Sequence, residues 1–400
     1  MSYPPLKLKK NEERRLRAGH LWVFSNEVNT HETPLTAFTP GEIVTVTSAS
    51  GNPLGNAYIN PQSLICARLY SHDTRQDLDQ DLLQARIEQA LQLRYKRYTQ
   101  PFYRAVYSEG DLLPGLVVDR FDNVLVLQTS TLGMDMRQSA IVAALEHALQ
   151  PEVIIVNNNM GTRTLEGLEQ SVNVLKGQPG DSLQVRENQA TFTFPAFKGQ
   201  KTGWFYDHRD NRRAMTRWAQ QAKVLDVFSY IGGWGIEAAL AGAQHVTAIE
   251  TSASACDLLA TNAEQNGVAD KVTIVNADAF DALNRLKQDK KKFDLIVLDP
   301  PAFIKRKKDL KQGVAAYQRL NKLAMQVTNN NGILISASCS YHFSRDLHLK
   351  TLRDCARQCG HQLQVVEEGH AGADHPRHPA IPETAYLSCF TVRLIHESAP

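Results

Sequence analysis

Between residues 223 and 301 the apolar pattern changes its period twice. Val224, Leu225, Val227 and Phe228 form an apolar run broken only by Asp226, which reads as a buried parallel strand. The turn Gly232-Gly233-Trp234-Gly235 follows, with a helix opening near Trp234, and the stretch closes on Phe293-Asp-Leu-Ile-Val-Leu-Asp-Pro-Pro301. From residue 200 onward apolar runs and helical stripes alternate regularly. Strands are expected near 224–228, 245–250, 271–277, 293–299, 332–338, 362–367 and 385–394, with helices between the first six. Cys256, Leu259, Ala260 and Ala263 make an apolar stripe on the second of these helices. Gly242, Gly267, Gly332 and Gly360 fall where a helix should end and the next strand begin, the position that favours a left-handed residue. The alternation predicts an α/β fold, a Rossmann-like seven-stranded doubly wound sheet whose last two strands can form a hairpin.

The earlier chain has a different pattern. Residues 1–75 carry the β-rich runs Glu42–Thr47, Leu54–Ile59 and Leu64–Tyr70, as in a short barrel. Residues 76–100 repeat Leu82, Leu83, Ile87, Ala90, Leu91 and Arg94 at helical spacing, and Arg94, Lys96 and Arg97 crowd the helix end, where cations suit its dipole. Two strands flanking Arg120-Phe-Asp-Asn123 read as a hairpin; a helix near 135–149 and a strand over 153–157 complete an α+β unit. The expected domains are 1–75, 76–198 and 199–400.

Composition narrows the class. The hydrophobic fraction of 42% and charged fraction of 22% suit a globular protein. A net charge of +2 means that a nucleic-acid partner needs a local basic patch, such as the one containing Lys7, Lys9 and Lys10. That run is equally readable as a solvated face. There is no apolar run of about 18 residues and no apolar leader, so neither a membrane span nor a secretory signal is expected. Six scattered Cys point to reduced thiols in a cytoplasmic setting, and no metal site is expected.

The chemistry gathers at strand ends. Gly232, Gly233 and Gly235 do not space as a dinucleotide fingerprint, and Asp226 would repel a pyrophosphate but could pair with an ammonium group. That favours a cationic nucleoside, S-adenosylmethionine (SAM), with Asp226 and the Gly turn at its amino-acid end. Glu250 is placed for the ribose hydroxyls and Asp278 for the adenine amine. Asp299-Pro300-Pro301-Ala302-Phe303 ends the fourth strand; its prolines stiffen a loop that turns Asp299 and Phe303 toward the crevice, where the ring could stack on an extruded base. Cys339, at the end of the fifth strand, is the sharpest clue. Carbon 5 of a pyrimidine is a poor nucleophile until a thiolate adds at carbon 6. A buried, inert Cys is the alternative. Lys305, Arg306 and Lys307 would meet a polynucleotide backbone, or form a solvated loop.

These motifs together resemble the RlmI-type 23S ribosomal RNA large-subunit methyltransferases, which form 5-methylcytosine with SAM, over nearly the whole length. Trp22-Val-Phe-Ser25 is similar to the start of that family's PUA domain. Glu109–Gly115 with Asp119-Arg-Phe121 is similar to its central domain. Lys201-Thr-Gly203 through Asp207–Arg212, Phe228–Gly233, Ser338-Cys-Ser340 and Ala373-Asp-His-Pro376 complete the set. The resemblance implies a class I methyltransferase domain preceded by a small β-barrel PUA domain and an α+β central domain. It also implies that Lys201, Arg209, Phe228, Ser229 and Pro300 line the SAM pocket, that Cys339 is the nucleophile, and that Asp299 is a polar partner of the cytosine ring. RNA is the implied partner, probed by the first two domains; the oligomeric state is left open, a homodimer among the options. Two departures stand out. The fourth-strand loop has no second Cys, and Ser388 stands where a Lys is expected. Uracil-5 methylation and an inactive SAM-fold RNA-binding protein remain as alternatives.

Overall fold

The computed structural model describes residues 3–197 and 202–396. They fall into two compact units, each threaded more than once by the chain. One holds the described parts of Met1–Leu183, Pro195–Trp204 and Ala373–Thr384; the other holds those of Gln184–Phe194, Phe205–Gly372 and Ala385–Pro400.

The first unit opens with β1 (Pro5–Lys7), α1 (Glu13–Arg17), β2 (Trp22–Phe24), β3 (Ile43–Thr47), β4 (Pro53–Ile59) and β5 (Ile65–Ser71). Their order is β1-β3-β4-β5-β2. A bridge between Leu8 and Val28 joins the two edges, flanked by the Lys9 amide on the Glu27 carbonyl (2.8 Å) and the Asn29 amide on the Lys7 carbonyl (2.8 Å). The sheet thereby curls into a barrel and hides its edges. β1 and β2, three residues each, are too short to announce themselves by alternation. Leu6, Leu8, Val23, Val44, Val46 and Leu69 fill the interior, and Ile381 joins them from the far end of the chain.

The unit continues through α2 (Gln80–Arg97), β6 (Phe102–Tyr107), β7 (Leu116–Phe121), β8 (Val124–Thr129), α3 (Leu132–Asp135), α4 (Gln138–Leu149), β9 (Val153–Asn157) and β10 (Val172–Lys176), in the sheet order β10-β9-β8-β7-β6. Asp79 caps α2 through the Leu82 amide (2.9 Å). Arg94 ends the helical stripe of the sequence reading, among the cations that suit the helix dipole. It is fully buried, and Asp111 takes its guanidinium in a fork (2.7 and 2.6 Å) while the Asp374 carbonyl takes a further N–H (2.8 Å). The Ala373–Pro376 motif thus anchors a returning segment. Asp374 also accepts the Arg104 amide (3.0 Å), and the His375 ring lies 3.0 Å from the Arg104 guanidinium.

The hairpin β11 (Ser182–Glu187) and β12 (Ala190–Pro195) leads into the second unit, which adds α5 (Arg209–Met215), β13 (Lys223–Val227), α6 (Gly233–Leu240), β14 (His245–Glu250), α7 (Ala253–Gln265), β15 (Val272–Asn276), α8 (Ala279–Gln288), β16 (Phe293–Leu298), α9 (Leu310–Val327), β17 (Thr328–Ser338), α10 (Arg345–Gln358), β18 (His361–Gly369) and β19 (Ser388–His396). The seven-stranded sheet runs β15-β14-β13-β16-β17-β19-β18, and β19 is antiparallel to both its neighbours. The last two strands do form the expected antiparallel pair. Side chains of α7 stand in for a strand beside β12. Asn262 accepts the Thr193 amide (2.8 Å), while Asn266 accepts the Thr191 amide (2.9 Å) and donates to its carbonyl (2.6 Å).

Three of the four expected helix-ending glycines have the left-handed φ: Gly242 (91°), Gly267 (68°) and Gly360 (72°). Gly332 does not. α9 ends at Val327, Gly332 lies inside β17, and Asn331 takes the positive φ of 62°. Gly332 answers to a close approach, since a Cβ there would come within 2.6 Å of Thr328 Cγ2 and 2.8 Å of the Asn329 carbonyl oxygen.

Candidate active site

The order of the strands reverses direction between β13 and β16, which opens a crevice beyond their carboxyl ends. Register sets what faces it. Val227 pairs with Ile249 on one side and Leu298 on the other, and Leu298 pairs with Ser336. Phe228, Glu250 and Asp299 therefore emerge at one level, and Cys339 emerges just beyond them on the adjacent β17.

The turn after β13 concentrates backbone strain. Phe228 (67°), Tyr230 (49°) and Gly232 (95°) all have positive φ. The Phe228 and Ser229 amides donate to the Ile249 carbonyl (3.0 and 3.1 Å), the Ser229 hydroxyl donates to the Asp226 carbonyl (2.8 Å), and Glu250 accepts the Tyr230 amide (2.9 Å). The glycines serve the protein's own packing. Gly232 holds a left-handed position, and a Cβ on Gly235 would stand 3.0 Å from Asp226 Oδ2 and 3.1 Å from Val246. Gly233 is the first residue of α6.

Asp226 is fully buried. Its Oδ2 accepts the Gly235 amide (2.9 Å) at the start of α6, while Oδ1 has no hydrogen-bond partner among the described residues. Burial raises this carboxyl to about 7. Glu250 is half-buried, with Oε2 on the Tyr230 amide and Oε1 on the Ser252 amide (2.9 Å each); each oxygen keeps a lone pair free for a ligand hydroxyl. Asp278 is exposed and caps α8 by taking the Phe280 (2.9 Å) and Asp281 (3.2 Å) amides on Oδ1. Two oriented carboxylates beside a crowded Gly turn, with a buried carboxylate oxygen beneath it, fit a cationic nucleoside with ribose hydroxyls. Arg209 lies largely buried against Glu187 (3.3 Å). Lys201 lies outside the described residues.

Asp299 stands just past β16, with Pro300 after it. Its Oδ2 accepts the Trp234 indole N–H (3.0 Å) and its Oδ1 forms an ion pair with His208 Nε2 (3.3 Å), at an angle that departs from a hydrogen bond. Burial alone would raise this carboxyl. The charge and contact of His208 and the Trp234 hydrogen bond outweigh it, so the net shift is downward. Burial opposes charge on His208 in turn, but Asp299 wins and the imidazole rises. Neither His208 nor Trp234 was singled out from sequence. His208 lies inside the 207–212 stretch, and Trp234 reads there as a turn residue.

Cys339 is half-buried, its Sγ 3.9 Å from the Pro300 carbonyl. Its neighbours are fixed by Tyr317 on α9, whose hydroxyl accepts from Ser338 (2.8 Å) and lies 2.9 Å from the Ser340 hydroxyl. Ser340 Oγ also accepts the Ile304 amide (3.2 Å), tying the loop after Asp299 to the Cys339 turn. Tyr317 stacks on Phe343 at 4.3 Å. Burial pushes the other five thiols up: Cys66 and Cys355 to about 12, and Cys256, Cys359 and Cys389 in the same direction. Phe303 is half-buried against Tyr317 (4.9 Å) and Phe280 (6.4 Å). Lys305, Arg306 and Lys307 are exposed, Arg306 pairing with Asp309 (3.3 Å). Lys9 and Lys10 are exposed in the first unit, where Lys9 donates to the Asn26 carbonyl (2.8 Å). Ser388 opens β19 and lies 2.9 Å from His348, whose other nitrogen lies 3.0 Å from Ser336. Burial lowers that imidazole to about 3, so it bridges two hydroxyls as a neutral ring.

Residues 6–72 match the model of the PUA-like domain, and residues 209–337 match that of conserved hypothetical protein 95. The ribosomal RNA large subunit methyltransferase I of Erwinia tasmaniensis is 35% identical over 393 residues, 97% of this chain and 98% of that protein. The chain belongs to the ribosomal RNA large subunit methyltransferase I family. The Vibrio cholerae member is 34% identical over 400 residues, covering 98% of this chain and all of its own length (100%). Among solved structures, a protein described as a methyltransferase complexed with SAH superposes with a TM-score of 0.84 at 19% identity, covering 98% of this chain and 100% of that one. A protein described as a SAM-dependent methyltransferase, from Streptococcus mutans, superposes with a TM-score of 0.83 at 18% identity and the same coverage. These two bear on the fold: a class I methyltransferase sheet following a PUA-like barrel. No helix among the described residues is long and apolar enough to cross a membrane.

Proposed function

We propose that this family member methylates carbon 5 of a cytosine in large-subunit ribosomal RNA, with SAM as methyl donor and Cys339 as covalent nucleophile. The observation that carries the reading is the shared register that sets Glu250, Asp299 and Cys339 along one carboxyl edge of the sheet. Bound SAM supplies an electrophilic methyl group on a sulfonium. Glu250 would hold the ribose, Asp278 the adenine amine, and Asp226 the charge beneath the turn, with Lys201, Arg209, Phe228, Ser229, Gly232, Gly233 and Pro300 lining the pocket. The Cys339 thiolate adds to carbon 6 of the ring, and the displaced electron pair makes carbon 5 nucleophilic. Carbon 5 takes the methyl group while the sulfonium sulfur keeps the bonding pair. A base then takes the carbon-5 proton, the C–H bonding pair re-forms the carbon 5–carbon 6 double bond, and the carbon 6–sulfur bond breaks with its pair leaving on sulfur as the thiolate.

Asp299 can serve as the polar partner of the pyrimidine ring. His208 and Trp234 favour its ionised form, which can only accept hydrogen bonds. Cytosine offers it the exocyclic amine and uracil its N3–H, so the methyl-acceptor base is decided by the mapping below. Phe303, Lys305, Arg306 and Lys307 would meet RNA beside the crevice, and the 1–75 domain would meet it through Lys9 and Lys10, with 76–198 as a connecting domain before the 199–400 methyltransferase domain. Mass mapping of modified pyrimidines in large-subunit ribosomal RNA, from cells with and without the gene, tests this. One 5-methylcytosine should vanish with the gene. Loss of a 5-methyluridine instead would install the uracil reading, and an unchanged map would leave an RNA-binding protein.

A further inference from the structure

The first unit contains a cavity of about 260 Å³ that the proposed methyl-transfer site does not use. Its walls come from the end of α1, the end of β5, the middle of α2, the loop at Leu112 and the returning segment at His378. Three facts about this wall point to a ligand. The first is an uncompensated cation. Arg86 is partly buried, and its one hydrogen bond among the described residues goes to the Leu112 carbonyl. No carboxylate lines the cavity. The acids of the adjacent loop are engaged elsewhere: Asp111 on Arg94 and the Tyr107 amide, Glu109 on the Trp22 indole and the Ser108 hydroxyl. Burial accordingly draws the Arg86 guanidinium down to about 10, with only the Tyr70 phenol acting against it. A guanidinium has five N–H donors in a planar fork suited to phosphate.

The second fact is a further donor on the same wall. The His378 Nδ1 accepts the Ala380 amide (3.3 Å), so the neutral ring carries its proton on Nε2, and burial keeps the ring neutral. The third fact is that much of the remaining wall is apolar, with Leu21, Leu69 and Leu112 on it. Leu112 is held at a φ of 60°, a left-handed conformation that a leucine rarely adopts, in the position where its carbonyl meets Arg86. An anionic end and a flat apolar body describe one nucleotide. The volume falls just under the usual range of small-ligand pockets, a fit for the base of one residue with its phosphate at the open rim and not for a duplex.

We propose that this cavity takes one unpaired nucleotide of the RNA substrate, its phosphodiester on Arg86 and its base against the leucine wall. The proposal rests on RNA being the substrate. Single-stranded segments are what proteins read by such pockets, because their bases can be splayed out.

The test is binding of a fluorescent single-stranded oligonucleotide from large-subunit ribosomal RNA to the full chain at several salt concentrations. Arg86→Gln should weaken binding about tenfold and make the log–log salt slope shallower by about 0.7, the value for one lost phosphate contact on a single strand. Arg86→Lys should restore the slope, because it restores the charge. Ala18→Trp, at the exposed rim, should weaken binding without removing any charge. SAM affinity should be unchanged in all three, which shows that each is folded. Wild-type affinity and slope in Arg86→Gln overturn the proposal. Inorganic phosphate that raises the melting temperature through Arg86, with RNA binding unaltered, also overturns it and leaves a free-phosphate site. A wild-type chain that binds SAM and no RNA removes the RNA reading itself.

Discussion

At the scale of single residues, environment decides what a side chain can do. Six Cys are chemically alike in the sequence, yet four are buried, and Cys339 is half-buried just past the end of β17, beside the crevice. Cys339→Ala should abolish methyl transfer and leave SAM affinity within about twofold, read by calorimetry alongside a methyl-transfer assay; retained turnover would remove the thiol from the mechanism. Asp226 carries a second prediction. Its folded carboxyl titrates near 7 against an ordinary 3.8. Below about pH 4 it is protonated in both states and costs nothing; as pH rises through 4–7 the unfolded chain ionises first, so folding loses stability, by roughly 4 kcal/mol above pH 7. Asp226→Asn keeps an acceptor for the Gly235 amide and removes that titration. Its stability relative to the unsubstituted protein should climb between pH 4 and 7 in urea melts. A flat difference would mean that the carboxyl is not desolvated. The sequence did put acids at these strand ends. It could not say that Asp226 would be sealed under α6, because that depends on the Gly235 backbone reaching it.

At the scale of elements, apolar period located the strands of the seven-stranded sheet to within a few residues, most directly for β13 and β16, which are buried nearly throughout, and less so for the half-exposed edge strands β15 and β18. It failed where pairing is local or made by side chains. Gly332 read as a helix end because glycine commonly is one; the close packing of Thr328 and Asn329 requires it instead. The β12 edge was also illegible. Asn262 on α7 and Asn266, which caps its end one turn later, meet alternate residues of a strand, and polar residues on a helix normally signal a solvated face. Asn262 is fully buried and also donates to the Ile231 carbonyl (3.2 Å) in the Gly turn. Asn262→Ala leaves the Thr193 amide and the Ile231 carbonyl without these partners. It should cost about 1–3 kcal/mol, visible as a lowered urea midpoint at unchanged slope. No loss of stability would mean that α7 does not hold the hairpin.

At the scale of the whole chain, the two units are not consecutive blocks. Residues 373–384 return to the first unit, where Asp374 and His375 meet the Arg94 and Arg104 region and Ile381 enters the barrel core, fully buried. Ile381→Ala should therefore destabilise the barrel by about 2–5 kcal/mol, although it lies more than 300 residues from the strands it packs against. Proteolysis of the barrel in the variant would report this. An unchanged cleavage rate would place Ile381 outside that core. No periodicity in residues 373–384 announces such a partner, because the segment is neither helix nor strand over most of its length.

The sequence by itself determined the order and type of the main elements, the seven-stranded α/β domain, and the positions of Glu250, Asp299 and Cys339 at strand ends. Those follow from local periodicity and from where polar residues interrupt it. Tertiary structure alone decided that these residues share one edge, that His208 and Trp234 charge and orient Asp299, that Tyr317 clamps the turns around Cys339, and that Arg86 is left without a counter-charge. The reason is physical. Register, desolvation and ion pairing are properties of residues brought together from distant parts of the chain, and a linear pattern records only neighbours.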